Sequence, residues 1–443
     1  MSASAIKPYH WTNSALFYYL LAVLIWAPLP LASNREWSTT LLAILLLCGL
    51  LACGVLMLLG QLRVTTALRR AWPALSALIA TQAWVAAQLA FGISVAPDST
   101  RLALLLGVAL VAAFVLVLLL VDSRPRILRI AQVMVGCAVF QAFFASAMMM
   151  SDLDKVPLLD KVFERGGASG TFINRNHLAG FLEMNLAIGI GMLVAQLHRH
   201  PAEGWRELVR RTIDTVLSPK FRLRLYLAIM VVALVLTRSR MGNVAFFSSL
   251  LVCGLAGMVL QRRVTRNATL FFVSLLLIDI YIVGNWFGMD EVVERLQGTS
   301  LAAETRDEVA LDSIAMWRDH FWTGTGADSF FEAYVYGGYM NANSLYYRHP
   351  ENDYLEIGSG FGFIGFALLG TAVLTSLWQA LLAQRRCKSS IRQGLGFASM
   401  MGITSVLIHS FTDLNLHIPA NSLWFIVLMA FAWVAIAEEE PYR

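Results

Sequence analysis

Apolar residues run along this chain in blocks of roughly twenty, the length that crosses the ~30 Å hydrocarbon layer as a helix. The blocks predict spans at about 14–33, 39–60, 72–92, 102–121, 129–150, 177–197, 225–237, 243–261, 267–287, 359–384, 393–411 and 420–437. The pattern therefore predicts an all-α polytopic membrane protein of about twelve transmembrane helices, with residues 1–443 forming a single transmembrane domain. Two polar stretches interrupt it. Residues 198–224 are basic, carry Trp205 as an interfacial anchor, and read as an amphipathic segment on the inner membrane face. Residues 288–358, between the ninth and tenth spans, form a much longer polar segment. A connection of this length is uncommon unless it is functional or disordered. Its aromatic content, including Trp317, Phe321, Trp322, Phe330, Tyr334, Tyr339 and Tyr347, does not suit disorder, so the segment reads as a folded lid or active-site element.

Composition supports the membrane reading: 58% of residues are hydrophobic and 14% charged, against about a quarter charged in soluble domains. Lys and Arg collect in alternate short loops, such as Arg63, Arg69 and Arg70, Arg124 to Arg129, and Arg385 to Arg392. By the positive-inside trend these loops are cytoplasmic, as are both termini. The loop 151–176, the turn 237–243, the segment 288–358 and the turn 412–420 then share the outer side. The five cysteines are placed as small core residues rather than as a disulfide framework. No CxxC or HExxH spacing occurs, so no metal and no other cofactor is expected. The N-terminus shows no cleavable signal pattern. Membrane lipid is an expected partner, and nucleic acid is not.

Several polar clusters fall on that outer side. Asn174-Arg175-Asn176-His177 runs straight into the sixth span, where orphan N–H groups and the helix dipole favour an anion. The Arg175 guanidinium adds a forked donor suited to phosphate oxygens, although arginine also snorkels at membrane edges. Arg238-Ser239-Arg240 places two cations on the side where basic residues are unfavoured, which points to an anionic partner. Arg306 and Arg318 lie on an expected helix over 301–319, and Gly324-Thr325-Gly326 reads as a tight turn. His349 is followed by Glu351, Asn352, Asp353 and Glu356, a setting that suits a general base or a structurally satisfied imidazole. The polar run from His409 to Asn421 reads as helix caps and braces for the long segment.

Five of these motifs, in order, resemble the O-antigen ligase/O-antigen polymerase superfamily. They are Gly170 through His177, Thr237 through Arg240, Gly324-Thr325-Gly326, Asn352-Asp353-Tyr354-Leu355-Glu356 with Gly362-Phe363-Ile364-Gly365, and His409 through Asn421. The resemblance covers roughly residues 165–425. It implies a GT-C-like, inverting, metal-independent glycosyltransferase of the bacterial inner membrane with its active site facing the periplasm. The implied donor is an undecaprenyl-diphosphate-linked glycan; the implied acceptor is another lipid-linked glycan for a polymerase, or lipid A–core for a ligase. Arg175, Arg240 and Arg306, with Arg238, become diphosphate ligands; Asn174, Asn176, His177, Asn352 and Asp353 support them. His349 becomes the acceptor-side base. Many members carry a second His where this chain has Glu351, so Glu351 is the other candidate for that role. The aromatic residues of 321–347 favour a polymerase, since they could stack on a long saccharide. A lipid-linked oligosaccharide or anion transporter is the alternative of another class; its charges belong near the membrane midplane.

Overall fold

The computed structural model describes residues 9–151, 155–156, 159–162, 167–195, 219–261, 273–274, 301–340 and 347–437. Most of the basic segment 198–224 with Trp205, and the ninth expected span apart from 273–274, lie outside the described residues. The helices are α1 (Tyr9–Trp26), α2 (Glu36–Leu58), α3 (Thr66–Arg70), α4 (Trp72–Ala90), α5 (Pro97–Leu120), α6 (Arg124–Met150) and α7 (Arg175–Val194). They continue with α8 (Pro219–Leu236), α9 (Arg240–Gln261), α10 (Leu301–Asp319), α11 (Phe330–Tyr336), α12 (Asp353–Arg386), α13 (Ser390–His409) and α14 (Pro419–Ile436). Between α6 and α7 a small antiparallel hairpin pairs Lys155–Val156 with Leu159–Val162. Among the described residues nine helices are long and apolar enough to cross a membrane. Apart from that hairpin the protein is helical, a polytopic membrane protein in this sense, and eleven of the expected spans coincide with observed helices.

Burial separates the helices into an inner and an outer set. α7 and α14 are enclosed by protein along nearly their whole length, α13 along most of it, whereas α2, α4, α6 and α12 fully bury only about a third of their residues or fewer. This arrangement explains the polar residues inside α7: they face protein rather than lipid. Asn185, for example, accepts a hydrogen bond from the indole of Trp424 on α14 at 3.0 Å. In a hydrocarbon setting such groups need an internal partner, because water is absent.

One end of the bundle carries the polar segments. There Thr171 donates to the Pro28 carbonyl, Ala168 N–H to Leu236 and Val95 N–H to Thr325. At the opposite end Arg70 donates to the Ile436 carbonyl and Thr65 to Leu118. The segment over α10 and α11 has a small core of its own, built from Val309, Met316, Phe330, Ala333 and Tyr334.

The junction that fixes this segment to the bundle is a broken helix. α12 begins at Asp353, two turns earlier than the apolar pattern indicates, because the Asn352 side chain caps it by accepting from Tyr354 N–H and Leu355 N–H. It then unwinds at Gly362, whose φ of 65° a side chain would disfavour. The backbone groups freed there are met by the stretch 321–327: Thr325 N–H donates to Ser359, Gly326 N–H to Gly360 and Phe363 N–H to Phe321. The two backbones approach so closely that a Cβ on Gly324 would collide with the Gly360 carbonyl. The tight turn expected at Gly324-Thr325-Gly326 is thus one half of this junction.

Gln88 of α4 closes the junction. Its amide nitrogen donates to Thr323 at 2.7 Å and Gly360 at 2.9 Å, and its oxygen accepts from Ala327 N–H at 3.2 Å. The Trp84 indole donates to Phe361 O nearby. Gln88→Leu strips these partners from buried backbone groups at about 1–3 kcal/mol each. We expect a loss of at least about 3 kcal/mol, read as a lower unfolding temperature of the purified protein in detergent. A variant that unfolds at the wild-type temperature would show that the junction does not depend on this side chain.

Candidate functional site

Two helix N-termini converge at the polar end. α7 starts at Arg175, with Asn174 as its cap, accepting from Asn176 N–H at 2.8 Å. α9 starts at Arg240, after a turn in which Arg238 adopts a φ of 55°. Gly167 lies between them: a Cβ there would come within 2.6 Å of the Thr237 carbonyl and 2.7 Å of the Arg175 side chain. Arg175 is half-buried, while Arg238 and Arg240 are exposed. The orphan N–H groups of two neighbouring helix starts and the residues Arg175, Arg238 and Arg240 thus lie on adjoining segments, a setting suited to an anion. Arg306 lies on α10, but its side chain falls outside the described residues.

The second group of residues centres on His349. Its Nδ1 lies 3.3 Å from Glu356 Oε2 and 3.4 Å from Oε1. Glu356 sits one turn into α12, seven residues further along the chain. The His349 ring packs on that of His417 with centroids 4.4 Å apart, and His417 Nδ1 is 3.8 Å from Asp328 Oδ1. Asp328 follows directly on the junction stretch, and Glu351 lies beside His349. Both take left-handed backbone conformations, with φ of 58° and 51°, which cost about 1–3 kcal/mol at non-glycine positions and cluster at functional sites.

The charges respond to this crowding. Burial draws the His349 imidazole down, but the Glu356 carboxylate, with Asp328 and Glu351 behind it, outweighs burial and holds it above the usual histidine value. Burial and the charge of Glu356 push Asp328 up to about 7. Burial and the neighbouring His349 bring His417 down to about 4. His349, Glu356 and His417 offer ligand atoms within 4.8 Å of one another, so this trio has the donor set of a small metal site.

The turn 410–418 joins the two groups. Asp353 is buried; it accepts from Ser410 Oγ at 2.7 Å and from Leu416 N–H at 3.2 Å. Asn352 donates to the Phe411 carbonyl, and Asn421 to that of His177. Asp413 lies 3.4 Å from His177 Nε2. Burial raises the Asp413 carboxyl, yet His177, by hydrogen bond and charge, and His409 more than compensate and hold it below its ordinary value. Asn174, Asn352 and Asp353, expected as supporting residues, therefore act on the backbone as caps and braces.

His417, Asp328, Glu356 and Asp413 were not among the expected site residues. Three of them carried a signal in the sequence, Glu356 as the close of the motif that begins at Asn352. His417 and Asp413 sit within the dense polar run between the last two spans, which reads as a brace until its contacts are seen.

No curated protein matches the chain. Residues 225–370 do match a family, and the match takes in Arg238, Arg240, Arg306, His349, Glu351 and Glu356 while leaving out Arg175, His177 and the turn 410–418. The matching family is O-antigen ligase, over roughly a third of the chain, and the match supports the resemblance of the motifs above to the O-antigen ligase/polymerase superfamily.

Proposed function

We propose that the polar end faces the periplasm and transfers a glycan from undecaprenyl diphosphate to an acceptor hydroxyl, with inversion and without a metal ion. The observation that carries this reading is the pairing of an anion-suited neighbourhood, at the N-termini of α7 and α9, with the Glu356-held imidazole of His349 across one turn of chain. Arg175 and Arg240, with Arg238 and Arg306, neutralise the diphosphate as the sugar–oxygen bond breaks, which is where charge develops. His349 accepts the proton of the acceptor hydroxyl on its Nε2. Glu356, at Nδ1, keeps the ring in the right tautomer and stabilises the imidazolium that forms, the same division of labour as in an Asp–His pair of a hydrolase. Glu351 has a secondary, electrostatic part in this scheme.

The acceptor that fits best is a second lipid-linked repeat unit, which makes the protein a polymerase. Phe321, Trp322 and Phe363 favour this: they are exposed, Phe321 and Phe363 stack with centroids 5.2 Å apart, and Trp322 meets Phe363 edge-on. Such a surface suits the apolar face of a sugar. A ligase acting on lipid A–core is the second reading. A carrier is less well supported, since Glu183, the carboxylate deep in α7, is internally paired with His409 and Ser405.

The test is product analysis by mass spectrometry with purified protein and an undecaprenyl-diphosphate-linked oligosaccharide. The donor alone should give a ladder of longer glycans; product formed only with lipid A–core would make the protein a ligase. A parallel reaction in EDTA should run at the wild-type rate. Loss of activity in EDTA, restored by a divalent metal, would instead assign His349, Glu356 and His417 as ligands and overturn the metal-free scheme.

A further inference from the structure

Behind the candidate site, four ionisable side chains form a line through the bundle. Glu183 of α7 and His409, the last residue of α13, are both wholly buried, and His409 Nδ1 lies 2.7 Å from Glu183 Oε1. Ser405 donates to the other carboxylate oxygen at 2.7 Å. On the far side of the ring, His409 Nε2 makes no hydrogen bond and stands 3.9 Å from Asp413 Oδ2. Asp413 then meets His177 at 3.4 Å. Of the four, only His177, at 14% exposure, reaches the edge of the protein.

This arrangement is expensive to fold. A buried ion pair is commonly no better for stability than well-packed apolar residues of the same volume, because desolvation cancels the attraction. What such groups supply is placement. Here the placement has an evident object. His177 stands two residues beyond Arg175 in the first turn of α7, at the helix end assigned to the diphosphate. The turn that carries Asp413 also carries His417, which packs on His349, and Ser410 and Leu416, which hold Asp353 at the start of α12. Asp413 is therefore the point where the donor half and the acceptor half are tied together. The N-terminus of α9 touches the same line, since a Cβ on Gly242 would lie 3.2 Å from Glu183 Oε1.

We propose that Asp413 is a positioning residue, which fixes His177 beside the diphosphate site and sets the register between that site and His349, with Glu183 anchoring it through His409. This inference rests on the glycosyl-transfer reading above. Asp413 touches no substrate; it acts by holding His177 and the turn. Its loss should then lower the rate of the chemical step more than the affinity for donor, because misaligned halves still bind but react poorly.

The experiment uses full-length protein in nanodiscs with an undecaprenyl-diphosphate-linked oligosaccharide, and compares wild type with Asp413→Asn, His177→Gln, the double variant and Arg240→Ala. Rates are expressed per folded molecule, with folding checked by thermal unfolding. Asp413→Asn should lower kcat by about 10–100-fold, the range seen for outer partners of functional histidines, and leave the donor KM within about threefold of wild type. His177→Gln should give a similar loss, and the double variant should be no worse than the poorer single one, since the two act as a unit.

A wild-type kcat in folded Asp413→Asn would overturn the proposal, because a bracing residue alone changes the folded fraction and not the turnover. If Asp413→Asn does not fold, His177→Gln decides: wild-type kcat there overturns the proposal equally. Arg240→Ala separates the two levels. Full activity in Arg240→Ala would sink the glycosyl-transfer site itself, whereas inactivity there with full activity in Asp413→Asn and His177→Gln would remove the positioning role alone.

Discussion

Replacing His349 by alanine is expected to slow glycan transfer by about 10²–10⁴-fold, the usual contribution of a positioned general base. The donor KM should change little, because His349 acts on the acceptor hydroxyl and the arginines hold the diphosphate. The pH profile adds a sharper signature. His349 is held above the ordinary histidine value by Glu356, Asp328 and Glu351, despite burial. A general base must be unprotonated, so kcat/KM should rise with pH through a value above that of an ordinary histidine. Glu356→Gln removes the nearest negative charge, 3.3 Å away. The acid limb should then move to lower pH, while the plateau falls because the imidazolium loses its partner. Asp328, pushed up to about 7, titrates in the same range. Asp328→Asn is therefore the control, and should leave a limb that still shifts when Glu356 is changed. A Glu356→Gln profile that coincides with wild type would remove Glu356 from the mechanism. If His349→Ala is fully active and Glu351→Ala is not, the base is Glu351.

The second large effect is expected at the two arginines that open α7 and α9. A preorganised donor aimed at developing charge is worth about 10²–10³-fold in rate. Arg240→Ala and Arg175→Ala should each lose about that much, measured as kcat/KM for the undecaprenyl-diphosphate donor. Arg240→Lys should recover only part of the loss, since an ammonium cannot reproduce a two-pronged contact with phosphate oxygens. Arg175 is half-buried, with its side chain against Gly167, and Arg240 is exposed. Substitution of Arg175 should therefore also lower the unfolding temperature, whereas Arg240→Ala should leave it unchanged. Transfer at the wild-type rate in both alanine variants would show that the diphosphate binds elsewhere.

Much of the architecture was legible in the apolar pattern, because a membrane leaves helices few alternatives. The exceptions have physical causes. The tenth span was expected from residue 359, yet α12 starts at Asp353, because the cap at Asn352 extends it beyond the apolar run. That displaced start decides which carboxylate partners His349: Glu356, one of several that follow it in sequence, stands on a helical turn facing the imidazole. The break at Gly362 was equally hidden. Its Gly-rich surroundings suggest close packing, but only the fold shows that residues 321–327 and Gln88 meet the freed backbone groups.

The arginines and His349 could be singled out from the sequence because they fall in or beside the polar clusters of the expected outer side, where basic residues are unfavoured. Their partners could not. Glu183 is a single carboxylate in an apolar helix, with nothing nearby in sequence to pair it; His409, its partner, lies 226 residues away. Asp413 and His417 belong to a run whose polar density gives no hint of which residue touches which. Contacts between distant helices decide these roles, and they belong to the packing rather than to any local pattern.

The central claim is that the polar end of the bundle breaks the bond between a glycan and undecaprenyl diphosphate and forms a new glycosidic bond. Its most direct test is a reaction in proteoliposomes, quantifying by mass spectrometry both free undecaprenyl diphosphate and extended glycan over time. The account predicts one undecaprenyl diphosphate released for each new glycosidic bond, and neither product from Arg240→Ala or His349→Ala. Donor that crosses the bilayer chemically unchanged, with no diphosphate released, would contradict it and identify a carrier.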